Sequence, residues 1–229
     1  VSISQRLQDI KKRMEKICLS CGRNPDSAAL VAVSKTKGEP LIREAFEAGQ
    51  ILFGENYVQE ATAKAENLAA LPISWHFIGH LQRNKARFVV RYFDLIHSVD
   101  SLRLAEEIHK QSEKISKIQN ILIQVHLGGE ESKAGIHPKD LQELLRNMTR
   151  LKHVCVQGLM AIPPPVENAE ENRIHFKALR ELMEENNAAN ILPAPMTILS
   201  MGMSDDFEVA MEEGATLIRI GTAIFGSRS

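Results

Sequence analysis

Ile3, Leu7, Ile10, Met14 and Ile17 recur at spacings of four and three, with charged residues between them. That stripe predicts an amphipathic helix over 3–21, closed by Gly22. The period then shortens. Val31 and Val33 alternate with the small Ala32 and Ser34, which predicts a buried strand over 30–36. Gly38-Glu39-Pro40 breaks it, and Pro40 suits the first turn of a helix running to Ala48, with Gly49 as the stop. The same exchange of short apolar runs and longer amphipathic stretches continues along the chain. Further strands are predicted at 51–55, 73–79, 95–99, 120–127, 154–162, 197–200 and 216–220. Helices are predicted between them: from Asn56 to about Ala70, from Leu81 to Tyr92, after Asp100 or Ser101, from Pro138 to Thr149, over 167–187 and after Ser204.

Strands that alternate with helices imply a parallel sheet. Eight such units at an even pitch, without a linker or a shift in composition, predict one domain over 1–229. The expected architecture is a (β/α)8 barrel with an extra N-terminal helix. An open doubly wound sheet is the alternative, but the Gly-x-Gly-x-x-Gly expected after its first strand is absent. The net charge of −1 gives no basic excess to attract nucleic acid or an anionic membrane. No apolar run approaches a membrane span, and Val1-Ser2-Ile3-Ser4 does not read as a signal peptide. Three cysteines, an odd number in a chain of this size, fit a reducing cytosol. Cys18 and Cys21 form a C-x-x-C at the end of the first helix, with no second pair to complete a zinc site; neither metal nor redox function is expected there.

In a barrel the reactive groups gather at the C-terminal ends of the strands. Lys35 lies at the end of the first, Glu55 and Asn56 at the second, and Gly79-His80 at the third. Ser200-Met201-Gly202-Met203-Ser204 follows the seventh, and Arg219-Ile220-Gly221-Thr222 ends the eighth. Small residues and hydroxyls after strands seven and eight suit an anion held by backbone N–H groups, with Thr222 adding a hydroxyl donor. By the period of two, Lys35 shares a side with Val31 and Val33. Burial there would lower its pKa and make the neutral amine accessible, as a Schiff-base lysine requires. Alone, Lys35 reads first as a strand-end residue whose stem packs while its head reaches water. Opposite a phosphate-type rim, it reads as part of a pocket for a phosphorylated carbonyl compound.

Several longer segments carry a resemblance: Ala32-Val33-Ser34-Lys35-Thr36-Lys37, 53–60 (Phe-Gly-Glu-Asn-Tyr-Val-Gln-Glu), 75–85 (Trp-His-Phe-Ile-Gly-His-Leu-Gln-Arg-Asn-Lys), Glu131-Ser132-Lys133-Ala134-Gly135, 158–162, 199–206 and 219–226. On these the chain resembles the pyridoxal 5′-phosphate (PLP) homeostasis proteins, which are similar to the N-terminal domain of alanine racemase. Glu131, where the family often has asparagine, is a mild variation. The resemblance implies the same barrel, PLP as cofactor, and Lys35 as the lysine that holds it as a Schiff base. It implies Ser200, Gly221 and Thr222 around the phosphate, Arg219 facing the pyridine nitrogen and Asn56 lining the ring pocket. It also selects Lys35 over Lys37, which has the same strand parity. The implied role is a PLP-binding protein of intracellular vitamin B6 homeostasis, with apo PLP-dependent enzymes as possible recipients.

Arg219 limits the chemistry. A guanidinium cannot accept a proton, so a pyridine nitrogen facing it stays unprotonated and the ring is a weak electron sink. Transamination and decarboxylation are disfavoured, which leaves racemisation or no amino-acid chemistry. Racemisation needs a second base, which alanine racemase takes as a tyrosine from a second subunit. Tyr57 reads as packing, Tyr92 points away, and His80 reads as a rim residue. The sequence runs three residues past Gly226 without the racemase β-domain, so a monomer without dedicated catalysis is expected. His76 and His80 lack a third ligand at metal spacing. The basic run Leu81–Arg87 suits a solvated or partner-docking face rather than nucleic acid. Lys133 is a candidate for PLP entry or transfer. The rival readings are a PLP-dependent racemase and a Schiff-base aldolase for a sugar phosphate.

Overall fold

A computed structural model describes residues 1–128 and 134–226. Its strands are β1 (Ala29–Val33), β2 (Leu52–Glu55), β3 (Ser74–Phe77), β4 (Leu95–Val99), β5 (Gln119–Gln124), β6 (Val154–Met160), β7 (Ile198–Ser200) and β8 (Leu217–Ile220). All pair in parallel and in sequence order, and β8 returns to β1 with Val31 opposite Arg219 and Ala32 opposite Ile220. That closure makes the expected (β/α)8 barrel and excludes the open sheet. The helices are α1 (Ile3–Ser20), α2 (Glu39–Glu47), α3 (Val58–Asn67), α4 (Ala86–Tyr92), α5 (Leu102–Glu113), α6 (Leu141–Met148), α7 (Arg173–Ala188), α8 (Phe207–Glu212) and α9 (Thr222–Phe225).

The period of two sorts the core into two shells. Val31, Leu95, Leu122, Met160 and Leu217 meet inside the barrel. Their neighbours along the strands, among them Leu30, Ala32, Phe53, Phe77, Ile96, Ile121 and Ile218, pack outward in the larger shell beneath the helices. Each fully buried side chain of this kind stabilises by about 1.5–3 kcal/mol. α1 joins the outer shell through Ile3, Leu7, Ile10, Met14 and Cys18, while Ser2 caps it by accepting from Gln5 N at 3.2 Å. The two residues of the C-x-x-C thus part company: Cys18 is buried core and Cys21 is exposed. Among the described residues no group of metal-ligating side chains gathers, and no helix is long and apolar enough to cross a membrane.

β2, β4, β7 and β8 end where the apolar pattern predicts, whereas β1, β3, β5 and β6 stop two or three residues earlier at the C-terminal rim. β1 ends at Val33, not at residue 36. Ser34 N still bonds Gly54 O at 3.0 Å, but Lys37 N then closes a turn onto Ser34 O at 3.0 Å, with Thr36 at φ 61°. Lys35 therefore stands in a turn just past the strand. A β-branched residue in left-handed backbone is strained by roughly 1–3 kcal/mol, so something must hold it there.

Candidate functional site

At that rim lies a cleft of about 500 Å³, within the range of small-molecule sites. Lys35 enters it from the turn after β1, Asn56 from the end of β2, and Arg219, Gly221 and Thr222 from β8 and the start of α9. Val33, Ile78, Ile162 and Met203 supply apolar walls, and Ile162 and Met203 leave 44% and 38% of their surface exposed. Lys37 does not line the cleft. A hollow of similar size, about 510 Å³, lies at the opposite end of the barrel among Lys11, Glu15, Asp26 and Gln50, without a comparable set of reactive groups.

Two glycines shape the rim. A Cβ on Gly79 would sit 2.1 Å from Asn56 O, so only glycine lets the end of β3 pass beside Asn56. Gly202 has φ +90°, and a Cβ there would meet Ala210 Cβ at 2.6 Å. Its carbonyl accepts from Arg219 N at 3.0 Å, which ties the loop after β7 to β8.

Arg219 is 4% exposed. Its Nη2 donates to Ala161 O at 3.0 Å and its Nη1 to Ser200 Oγ at 2.6 Å. Ser200 Oγ is also 2.8 Å from His97 Nδ1, and His97 Nε2 is 3.0 Å from His76 Nδ1. A guanidinium only donates, so the assignment that satisfies every partner has Ser200 donating to His97, and His97 donating from Nε2 to His76. Both imidazoles are then neutral. Burial agrees, lowering His76 to about 4 and pushing His97 well below its ordinary value. Burial also lowers Arg219 to about 10, with Asp206 opposing, so it remains a cation at neutral pH.

Ser200 lies behind Arg219 in the barrel interior. It is fully buried, with its hydroxyl on Arg219 and His97 inside the barrel, and it does not line the cleft. Parity explains this: Ile198 packs against the inner shell, Leu199 points outward, and Ser200 points inward again. Ser204, four residues on in the same loop, lines the cleft instead, together with Asp205. The second serine of Ser200-Met201-Gly202-Met203-Ser204 was the available signal.

The other named residues lie elsewhere. His76 is buried within the barrel, whereas His80 is exposed beside Arg83 and Asp100. Tyr57 is 51% exposed and does not line the cleft. Tyr92 bonds Glu66 on α3, which raises its phenol above the ordinary value. Phe88 in the basic segment is flanked by Lys85 and Arg87, both over its ring. Lys133 lies outside the described residues.

Residues 6–229 match the family described as alanine racemase, N-terminal domain. The pyridoxal phosphate homeostasis protein of Aquifex aeolicus is 46% identical over 98% of this chain and 97% of its own. That of Pseudomonas aeruginosa is 42% identical over 99% of this chain and 96% of its own. The structure of PipY from Synechococcus elongatus with PLP bound is 41% identical, with a TM-score of 0.87 over 98% of this chain and 100% of that one. The chain belongs to the pyridoxal phosphate homeostasis protein family, within the fold of the alanine racemase N-terminal domain.

Proposed function

We propose that this protein binds PLP in the rim cleft, linked as a Schiff base through Lys35, and serves intracellular PLP homeostasis by holding and releasing the cofactor. The observation that carries the reading is the convergence of Lys35, Asn56, Arg219, Gly221 and Thr222 on one cleft. When bound, PLP supplies an aldehyde that condenses with amines and a ring that withdraws electrons. The residues present fit such a group. Asn56 Oδ1 is buried without a partner among the described residues, so the amide has unspent capacity at the wall of the cleft. The first two amides of α9, those of Thr222 and Ala223, precede the first residue that bonds back within the helix, Ile224 N to Gly221 O at 3.0 Å. With the hydroxyls of Thr222 and Ser204 they make a set of donors for a phosphate. Ile162 and Met203 offer apolar surface to a flat ring.

Arg219 disfavours the transamination and decarboxylation that need a strong electron sink. It donates and cannot take a proton, so opposite a ring nitrogen it favours the unprotonated, weakly withdrawing form. Apart from Lys35, the described lining holds neither histidine nor tyrosine, the neutral-pH bases that a second proton transfer would use. We extend the proposal to a single-domain monomer acting in the cytoplasm, with apo PLP-dependent enzymes as recipients. The test uses the purified, PLP-loaded protein. It is expected to restore an apo PLP-dependent enzyme to activity and to leave Cα–H of common amino acids unexchanged in deuterated water. Exchange that disappears in Lys35→Ala would establish the racemase reading instead.

A further inference from the structure

Side chains of α3 reach the turn that carries Lys35. Lys64 is only 6% exposed, and its ammonium donates to three oxygens: Ser34 O at 2.7 Å, Glu55 Oε1 at 2.8 Å and Glu60 Oε1 at 2.6 Å. Glu60 Oε1 also accepts from Thr36 N at 2.7 Å, and Glu55 Oε1 from Ser34 Oγ at 2.7 Å. Ser34 O belongs to the peptide group preceding the Lys35 Cα, and Thr36 N to the one following it. Both peptide planes around Lys35 are therefore pinned to one helix, through a single ammonium and the carboxylate beside it.

We propose that Lys64, with Glu60 and Glu55, is a positioning clamp that fixes the backbone of Lys35 so that its amine is presented to the cleft. This rests on the reading of Lys35 as the PLP-bearing residue. Two features suit a clamp better than ordinary helix packing. A Glu and Lys four apart on a helix normally form an exposed, weakly stabilising pair, whereas here the lysine is turned inward onto a strand end. Thr36 also keeps its left-handed φ of 61°, a conformation that needs an outside partner, and Glu60 provides one. Glu55 directly precedes Asn56, so the same ammonium also holds the side chain next to a second wall residue of the cleft.

Lys64→Met is the direct variant, but it strands Glu55 in the core and can unfold the chain. Glu60 is less buried and gives the cleaner test. Glu60→Ala removes the acceptor of Thr36 N, whereas Glu60→Gln keeps one. The full-length protein is freed of bound aldehyde and mixed with PLP, and the rate of borohydride-trapped labelling of Lys35 is followed. Hydrogen exchange at the Thr36 amide is measured without PLP. The expected result is labelling slowed by about ten- to a hundredfold in Glu60→Ala, with faster Thr36 exchange, a cooperative thermal transition kept at a lowered midpoint, and recovery of most of the rate in Glu60→Gln. Wild-type labelling rate and exchange in Glu60→Ala would overturn the clamp. A wild type that takes no label at Lys35 would overturn the PLP reading alone, and the Thr36 exchange would still decide whether the clamp exists.

Discussion

Two buried polar networks support the cleft, one inside the barrel and one between the barrel and α3. Inside, Arg219 is held by the hydroxyl of Ser200, the carbonyl of Ala161 and, through Ser200, two neutral histidines. Among the described residues no carboxylate bonds it directly; Asp206 acts at a distance. Outside, Lys64 is held by two carboxylates, and burial pushes the Glu55 carboxyl up against the opposing pull of that ammonium. The first network therefore leaves a net positive charge beneath the cleft, suited to a phosphorylated anion. The second neutralises its cation and reaches the backbone on both sides of Lys35, at Ser34 O and Thr36 N. One network sets the field of the site and the other sets the position of its amine.

The comparison can be broken at several points. Lys64→Met should have the largest effect, a loss of about 3–5 kcal/mol in urea unfolding, because removing one partner leaves buried Glu55 without its counter-charge. A loss below about 1 kcal/mol would mean the outer network is not held as described.

The inner network should respond to acid. Between its ordinary value of 6.5 and about 4, His76 binds more protons unfolded than folded. Stability should therefore fall as pH drops through that window, by up to about 1.4 kcal/mol per pH unit. His97, lowered still further, extends the loss in the same direction. His76→Gln should flatten the curve between pH 6.5 and 4, measured by denaturant midpoints; an unaltered slope would contradict the assignment of a neutral buried imidazole.

The two serines of the β7 loop sharpen the contrast at smaller scale. Ser200→Ala should cost about 1–3 kcal/mol, since Arg219 and His97 both lose a buried partner. Ser204→Ala should leave stability within about 0.5 kcal/mol, while weakening the binding of PLP, read by titration, about three- to tenfold.

Much of this was legible in the sequence. Alternating periods of two and about 3.6 reflect burial on one face, so strand count, barrel closure and the rim carrying Lys35 and Arg219 followed from them. Strand ends were less legible, because Thr36 and its neighbours look like strand while a turn bond from Lys37 to Ser34 ends it. A motif names a loop but not which way each hydroxyl points, so the inward turn of Ser200 onto Arg219 and His97 was not legible. Lys64 was invisible: a lysine four residues after a glutamate reads as a solvated helix pair, and only the tertiary approach of α3 to β1 turns it inward. His97 was missed for a similar reason, sitting in an apolar strand that gives no sign of its partners across the barrel.

The most direct measurement of the central claim is the visible absorbance of the PLP-treated protein before and after borohydride, followed by peptide mapping of the reduced product. The account predicts a visible band that disappears on reduction, with the pyridoxyl mass on Lys35 and its loss in Lys35→Ala. A colourless protein, or a label residing on Lys37 or another lysine, would contradict it.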